Sequence, residues 1–320
     1  MMRSAWIKWA RGVEHQRGLA RELREFSRGD TYDYIRFDNA GNRSDPLVKM
    51  YWVLRVRQPY PERWSVLVGD ILTNLRAALD HTFWAATITA TGMPARPQLV
   101  TFPLYGDKDK FKSKAKDLQH LVAPEFWELV EAVQPFHADQ PDRVPLDSLR
   151  WLSNVDKHRA VHIVGRTAFD AGPIITDSEY EIIDDERIAG EVSDGSVVAR
   201  LRFRRPANST DFAVHPTFEY SPSLQVNDSP EKFVPLDVVM DAINEDVLGI
   251  LAGATRILGE EFPDPESLNV GMDQEAIAAE FGGAVVRFRS DDGTIHRFAV
   301  PLNTSEEGIT SGAEDASAAQ

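Results

Sequence analysis

The sequence predicts an α+β fold: a helical bundle interrupted by a β-rich insertion and accompanied by small β-hairpins. Three observations predict it. Apolar residues recur every three or four positions in long stretches near residues 4–27, 61–90 and 236–258, with a shorter helix near 145–155. Between Ala160 and Pro222 the period falls to two. Hydrophobic residues make up 42% and charged residues 27% of the 320, the composition of a soluble globular protein with a substantial core.

Taken in order, the first helix carries Trp6, Trp9, Val13, Leu19, Leu23 and Phe26 near helical spacing and stops at Gly29-Asp30. Two β-prone stretches, 32–38 and 48–57, flank a turn-rich segment and read as a hairpin. The second helix opens near Pro61, a residue suited to a first turn, and Trp64, Val68, Ile71, Leu75, Leu79 and Thr82 mark its apolar side. Gly92 and Pro94 end it. A looser segment around Phe102-Pro103-Leu104 follows, then a lysine-rich stretch, 108–116, alternating with aspartates and read as a solvated surface. Short helices at 124–133 and 145–155 flank Gln134-Pro135-Phe136.

In Val197–Arg204 the apolar residues point one way and Arg200, Arg202 and Arg204 the other. That stripe is assigned to cross-strand pairing with Glu179, Glu181 and Asp184 rather than to phosphate. The last long helix, near 236–258, should return to pack on the first two. Residues 284–301 read as an appended hairpin turning at Asp291-Asp292-Gly293. The domains expected are a helical core of 1–159 plus 235–262 with the hairpin 31–57, a β-rich insertion 160–234, a small C-terminal α/β appendage 263–302, and a disordered acidic tail 303–320.

Bulk chemistry narrows the function. There is no cysteine, which excludes disulfides, thiolate metal sites and a cysteine nucleophile. The net charge of −15 opposes broad adhesion to nucleic acid or anionic membrane. No apolar run is long enough to span a bilayer and no secretory leader is visible, so a cytoplasmic protein without membrane attachment is expected. No glycine-rich phosphate loop, dinucleotide fingerprint or serine elbow occurs.

Polar residues concentrate at two places. One is Gly69-Asp70-Ile71-Leu72-Thr73-Asn74-Leu75-Arg76-Ala77-Ala78-Leu79-Asp80-His81; the other is Asn154-Val155-Asp156-Lys157-His158-Arg159. On a helical wheel Asp70, Asn74 and His81 fall within about 40° of one another, whereas Arg76 and His81 lie about 140° apart. Arg76 and Asp80, four apart, can pair. Lys157, His158 and Arg159 suit a helix C-terminus; Asp156 does not and calls for a positive partner, for which Arg76 is the candidate.

These segments, with Gln134-Pro135-Phe136, resemble a family of uncharacterised bacterial proteins carrying the pattern Gly-Asp-x-x-x-Asn-Leu-Arg-x-Ala-Leu-Asp-His, Gln-Pro-Phe and Asn-x-Asp-Lys-His-Arg. The interval from Arg76 to His81 also resembles the Arg-x(4–6)-His signature of HEPN domains, helical modules that include metal-independent ribonucleases of toxin and defence systems. Three readings follow. In the first, the clusters form a buried polar network in a binding or scaffold module with no cofactor: Arg76 pairs with Asp156 or Asp80, His81 bonds a carbonyl, and Asn74 ties a loop. In the second, implied by the HEPN resemblance, the chain is a ribonuclease acting on RNA, with His81 as general base and Arg76 on the phosphate. Asp70 and Asn74 orient the imidazole there, Asp80, Asp156 and Lys157 support it, and a homodimer, His158 or Arg159 completes the site. In the third, His81, Asp156 and His158, with Asp70, gather a divalent metal.

Overall fold

In the computed structural model the described residues are 1–140, 144–167, 175–176, 180–188, 190–207, 212–215, 220–227, 233–268, 283–289 and 295–301. The chain divides into two compact units, Met1–Pro263 and Asp264–Gln320. The α+β expectation holds: helices pack together and antiparallel sheets complete the first unit.

Helix α1 (Arg3–Arg28) and helix α2 (Arg63–Thr91) lie antiparallel. Gly12 of α1 meets Leu75 of α2, where an added Cβ would stand 3.0 Å from Leu75 Cδ2. Toward the other end, Trp64 Nε1 donates to Glu22 Oε2 at 2.8 Å. Helix α6 (Leu236–Ile257) returns against both, as expected. It runs antiparallel to α1, since Trp6 Nε1 donates to Thr255 Oγ1 (3.1 Å) and Gln16 Nε2 to Asp241 Oδ1 (2.5 Å). The indole of the buried Trp6 thereby finds a partner for its polar tip.

Three shorter helices complete the helical layer: α3 (Lys108–Leu118), α4 (Pro124–Ala132) and α5 (Pro145–Asp156). The lysine-rich stretch is helical because Asp107 caps it, its carboxylate accepting from the amides of Asp109 and Lys110. Phe111 and Leu118 are its buried anchors. No helix among the described residues is long and apolar enough to cross a membrane.

The strands are β1 (Tyr32–Asp38), β2 (Leu47–Val56), β3 (Ile163–Thr167), β4 (Ile175–Thr176), β5 (Ile182–Arg187), β6 (Gly190–Glu191), β7 (Val197–Arg204), β8 (Val214–His215), β9 (Tyr220–Gln225) and β10 (Phe233–Pro235). They form sheets in the orders β1-β2-β7-β5 and β10-β9-β3-β6, with β4 and β8 as a separate pair. The hairpin 31–57 therefore belongs with the insertion: β2 pairs along β7 with Met50 opposite Leu201. Its inward residues need that cover, for Val48, Met50, Trp52 and Leu54 form one core with Leu201, Phe203 and Phe212. Arg205, just past β7, donates to the carbonyls of Asp45, Ala40 and Asn39 and so holds the hairpin's turn.

The arginine stripe is occupied across the strands as expected. Arg202 pairs with Asp184 at 2.8 Å and Arg204 with Glu181 at 2.8 Å, while Arg200 takes Glu186 at 2.7 Å. Glu186 takes the place of Glu179, the third partner expected, which lies outside the described residues, as do the Asp291-Asp292-Gly293 turn and the tail 303–320. In the second unit, strands β11 (Gly283–Arg289) and β12 (Ile295–Pro301) form the expected antiparallel hairpin.

Candidate functional site

The two polar clusters do touch. The carboxylate at the end of α5, Asp156, lies directly on Gly69 of α2; an added Cβ there would stand 2.8 Å from Asp156 Cγ and 2.9 Å from Oδ2. Burial pushes the Asp156 carboxyl above its ordinary range, and the negative charge of Asp70 adds to the shift. Asp156 thus meets a bare backbone and a second carboxylate, where the sequence led us to expect Arg76.

Arg76 is engaged elsewhere, with the segment 101–105, which has no regular secondary structure. Arg76 Nη2 donates to the Phe102 carbonyl at 2.5 Å and pairs with Asp80 Oδ1 at 3.1 Å, and the same Oδ1 accepts from the Phe102 amide at 2.9 Å. Both backbone groups of Phe102 are therefore bound as a neighbouring strand would bind them. Gln134, only 2% exposed, continues the pattern: its Nε2 donates to the Pro103 and Val130 carbonyls (2.8 and 2.7 Å), and its Oε1 accepts from the Tyr105 amide at 3.0 Å. Side chains from α2 and from the turn after α4 together act as the missing ladder for this strap.

The strap forms one wall of a cavity of about 450 Å³. Helix α5 forms the facing wall with Arg150, Ser153, Asn154 and Lys157, while Arg76 and Lys114 enter from α2 and α3. Four cationic side chains line it, and no carboxylate among the described residues does. Arg150 is oriented from behind, its Nε donating to Asp147 Oδ1 at 2.8 Å, and Asp147 is itself 5% exposed and seated against Gly106 at the end of the strap. Lys114 reaches Asp117 only at 4.0 Å. Ser153 is 8% exposed, and its hydroxyl is buried without a hydrogen-bond partner among the described residues.

Of the residues singled out in the sequence, Arg76, Asn154 and Lys157 reach the cavity. Asn74 does not tie a loop; its Nδ2 donates to the Asp70 carbonyl one turn back, because that carbonyl is the nearest acceptor on its own helix. His81 is half-buried and has no hydrogen bond among the described residues, so the expected carbonyl partner is not there. His158 and Arg159 are exposed beyond the end of α5. His81 follows Gly69 by twelve residues, which places it about 18 Å further along α2 than the point where Asp156 sits. The side chains of His81 and Asp156 are too short to span that distance and do not meet at one centre. Among the described residues no group of three or more His, Asp or Glu side chains comes together as metal ligands would.

Sequence reasoning missed Lys114, Arg150 and Ser153, and it quoted Gln134 without assigning it a task. A signal was present on α5: Arg150, Ser153, Asn154 and Lys157 recur at intervals of three and four, a polar stripe along a helix flanked by the buried Leu149 and Leu152. No family model matches this chain, and no curated protein or solved structure matches it, so the reading of the site rests on its own geometry.

Proposed function

We propose that this chain is a binding module whose polar network frames a pocket for a small anionic ligand. The observation that carries the reading is the cavity lined by Arg76, Lys114, Arg150 and Lys157 with no acidic side chain among the described residues, in a chain of net charge −15. Acidic residues outnumber basic ones 50 to 35, so a cluster of four cations around one concavity runs against the background and concentrates positive potential where field lines are focused. Arg76 and Arg150 are already paired from behind with Asp80 and Asp147, so the repulsion an anion would relieve rests chiefly on Lys114 and Lys157. The overall negative charge restricts the ligand to something small, since a long polyanion would meet repulsion outside the pocket.

Arg76, Asp80 and Gln134 serve this reading as positioning residues that hold the strap in place. The metal reading draws His81, Asp156 and His158 into a common centre, as does the ribonuclease reading where His158 or Arg159 rather than a homodimer completes the site, and the offset along α2 supports neither of these single-chain arrangements. The test is thermal unfolding of the full chain with polyvalent anions, pyrophosphate and citrate, against chloride at matched ionic strength. Saturable stabilisation is expected in wild type and in His81→Ala, and its loss in the double variant Arg150→Gln, Lys157→Gln. A melting temperature unmoved by either anion would overturn the reading.

A further inference from the structure

We propose that the ligand of this pocket is an organic phosphate, its doubly charged phosphoryl group held along α5 between Arg150 and Lys157 and its organic body lying against Pro103, Leu104 and Tyr105. The inference rests on the anion-binding reading and narrows it to a chemical class.

Size is the first argument. A cavity of about 450 Å³ lies within the range of pockets that take cofactor-sized molecules, roughly 300–1,000 Å³. A bare tetrahedral oxyanion would leave most of it to water, each molecule of which occupies about 30 Å³. The strap supplies apolar surface beside the cations, through Pro103, Leu104 and the ring of Tyr105. The lining thus offers surface for carbon as well as for charge.

The disposition of donors is the second. Asp147 holds Arg150 through Nε alone, and the terminal nitrogens have no partner among the described residues. Arg76 is held through Nη2, which leaves Nε and Nη1. Arg150, fixed from behind through Nε, keeps its terminal Nη1 and Nη2 pair, which matches two oxygens of a phosphoryl group, and Arg76 adds single N–H donors beside it. Lys114 and Lys157, on flexible stems, can close over it. Ser153 sits between Arg150 and Lys157 on the same stripe, and a rotation about one torsion turns its hydroxyl to a phosphoryl oxygen. A carboxylate carries one negative charge and needs no such set, whereas a phosphomonoester near neutrality carries between about 1.5 and 2.

The test is isothermal titration calorimetry on the full chain. The probes are inorganic phosphate, inorganic sulfate, a panel of nucleoside monophosphates and sugar phosphates, the unphosphorylated nucleosides and sugars, and, for the tightest phosphate, the matching sulfate ester. At least one organic phosphate is expected to bind tenfold or more tightly than inorganic phosphate. Its unphosphorylated counterpart should not bind measurably, and its singly charged sulfate ester should bind at least tenfold more weakly. Ser153→Ala, which removes a hydroxyl without a partner and should leave the melting temperature unchanged or higher, is expected to weaken that binding about tenfold. Inorganic phosphate or sulfate binding as tightly as every organic phosphate in the panel would overturn the assignment and leave the anion-binding reading standing. Equal binding of an unphosphorylated counterpart, or no loss in Ser153→Ala, would also overturn it. Failure of every anion to bind would remove both.

Discussion

The Asp156 carboxylate rests on the unsubstituted Cα of Gly69, and this contact is where the helix carrying one polar motif meets the helix carrying the other. Glycine inside an exposed helix is ordinarily a weakness of about 1 kcal/mol against alanine. Here the sign reverses, because an alanine methyl would fall 2.8 Å from Asp156 Cγ, inside any normal contact. Gly69→Ala should therefore destabilise the fold by about 1–3 kcal/mol, the usual range for overpacking. The double variant with Asp156→Ala should recover much of the loss. Chemical denaturation of the single and double variants measures both, and a Gly69→Ala chain as stable as wild type would show that the carboxylate can move aside freely.

The same carboxylate makes stability fall with rising pH. Its proton is held more tightly in the folded chain than in the unfolded one, first because of burial and then because of Asp70. Below the unfolded value, near 3.9, both states are protonated and there is no penalty. As pH rises from there through the raised folded value, the folded state must give up a proton it holds tightly, and the penalty is complete above it. Asp156→Asn keeps the shape and removes the charge. Melting temperatures of variant and wild type should coincide near pH 3, and the variant should be the more stable by pH 7. Asp241 and Asp246 are raised as well, and Asp45, Asp107 and Glu260 lowered, but all are common to both chains and cancel in the difference.

Arg76 and His81, read together in the sequence as a pair, should separate in experiment. Arg76 bonds both Asp80 and the Phe102 carbonyl. Arg76→Ala strands a half-buried carboxylate and a backbone oxygen and should cost about 2–3 kcal/mol. His81 has no hydrogen bond among the described residues, and His81→Ala, which also gains helix propensity, should change stability by no more than about 0.5 kcal/mol. Equal losses on replacing either residue would mean that His81 carries a structural bond that the geometry does not show.

How much of this was legible in the sequence depends on whether an interaction is local. The long helices, the strand period at Val197–Arg204 and the Arg76–Asp80 pair follow from spacings of two, three and four residues, and each appears in the structure. The insertion's strands were legible, but not that β7 pairs with β2, since register between distant strands leaves no periodic trace. The strap at 101–105 has neither helical nor strand periodicity, because its hydrogen bonds go to the side chains of Arg76, Asp80 and Gln134 instead of to a ladder. Lys114 was hidden for a different reason: in a run alternating with aspartates it reads as solvated, and only the burial of Phe111 and Leu118 turns α3 so that Lys114 lines the cavity.

Gln134 offers the sharpest test of the strap. Its amide satisfies the Pro103 and Val130 carbonyls and the Tyr105 amide from a position 2% exposed to solvent. Gln134→Leu is close in volume and removes all three bonds, so the loss should be roughly 2–4 kcal/mol, from polar backbone groups left without partners. Gln134→Glu is nearly identical in shape, yet its charged form would turn one carboxylate oxygen toward the Pro103 and Val130 carbonyls while the other still accepts from the Tyr105 amide. Burial and that repulsion raise the new carboxyl above the ordinary glutamate range near 4.3. The folded variant then retains a proton that the unfolded chain has lost. Gln134→Glu should accordingly approach wild type below pH 4, where its protonated oxygen still donates, and lose stability steadily as pH rises to 7. Gln134→Leu should show no such slope relative to wild type. A Gln134→Glu chain with the same pH profile as wild type would mean that the strap does not depend on the amide's donor.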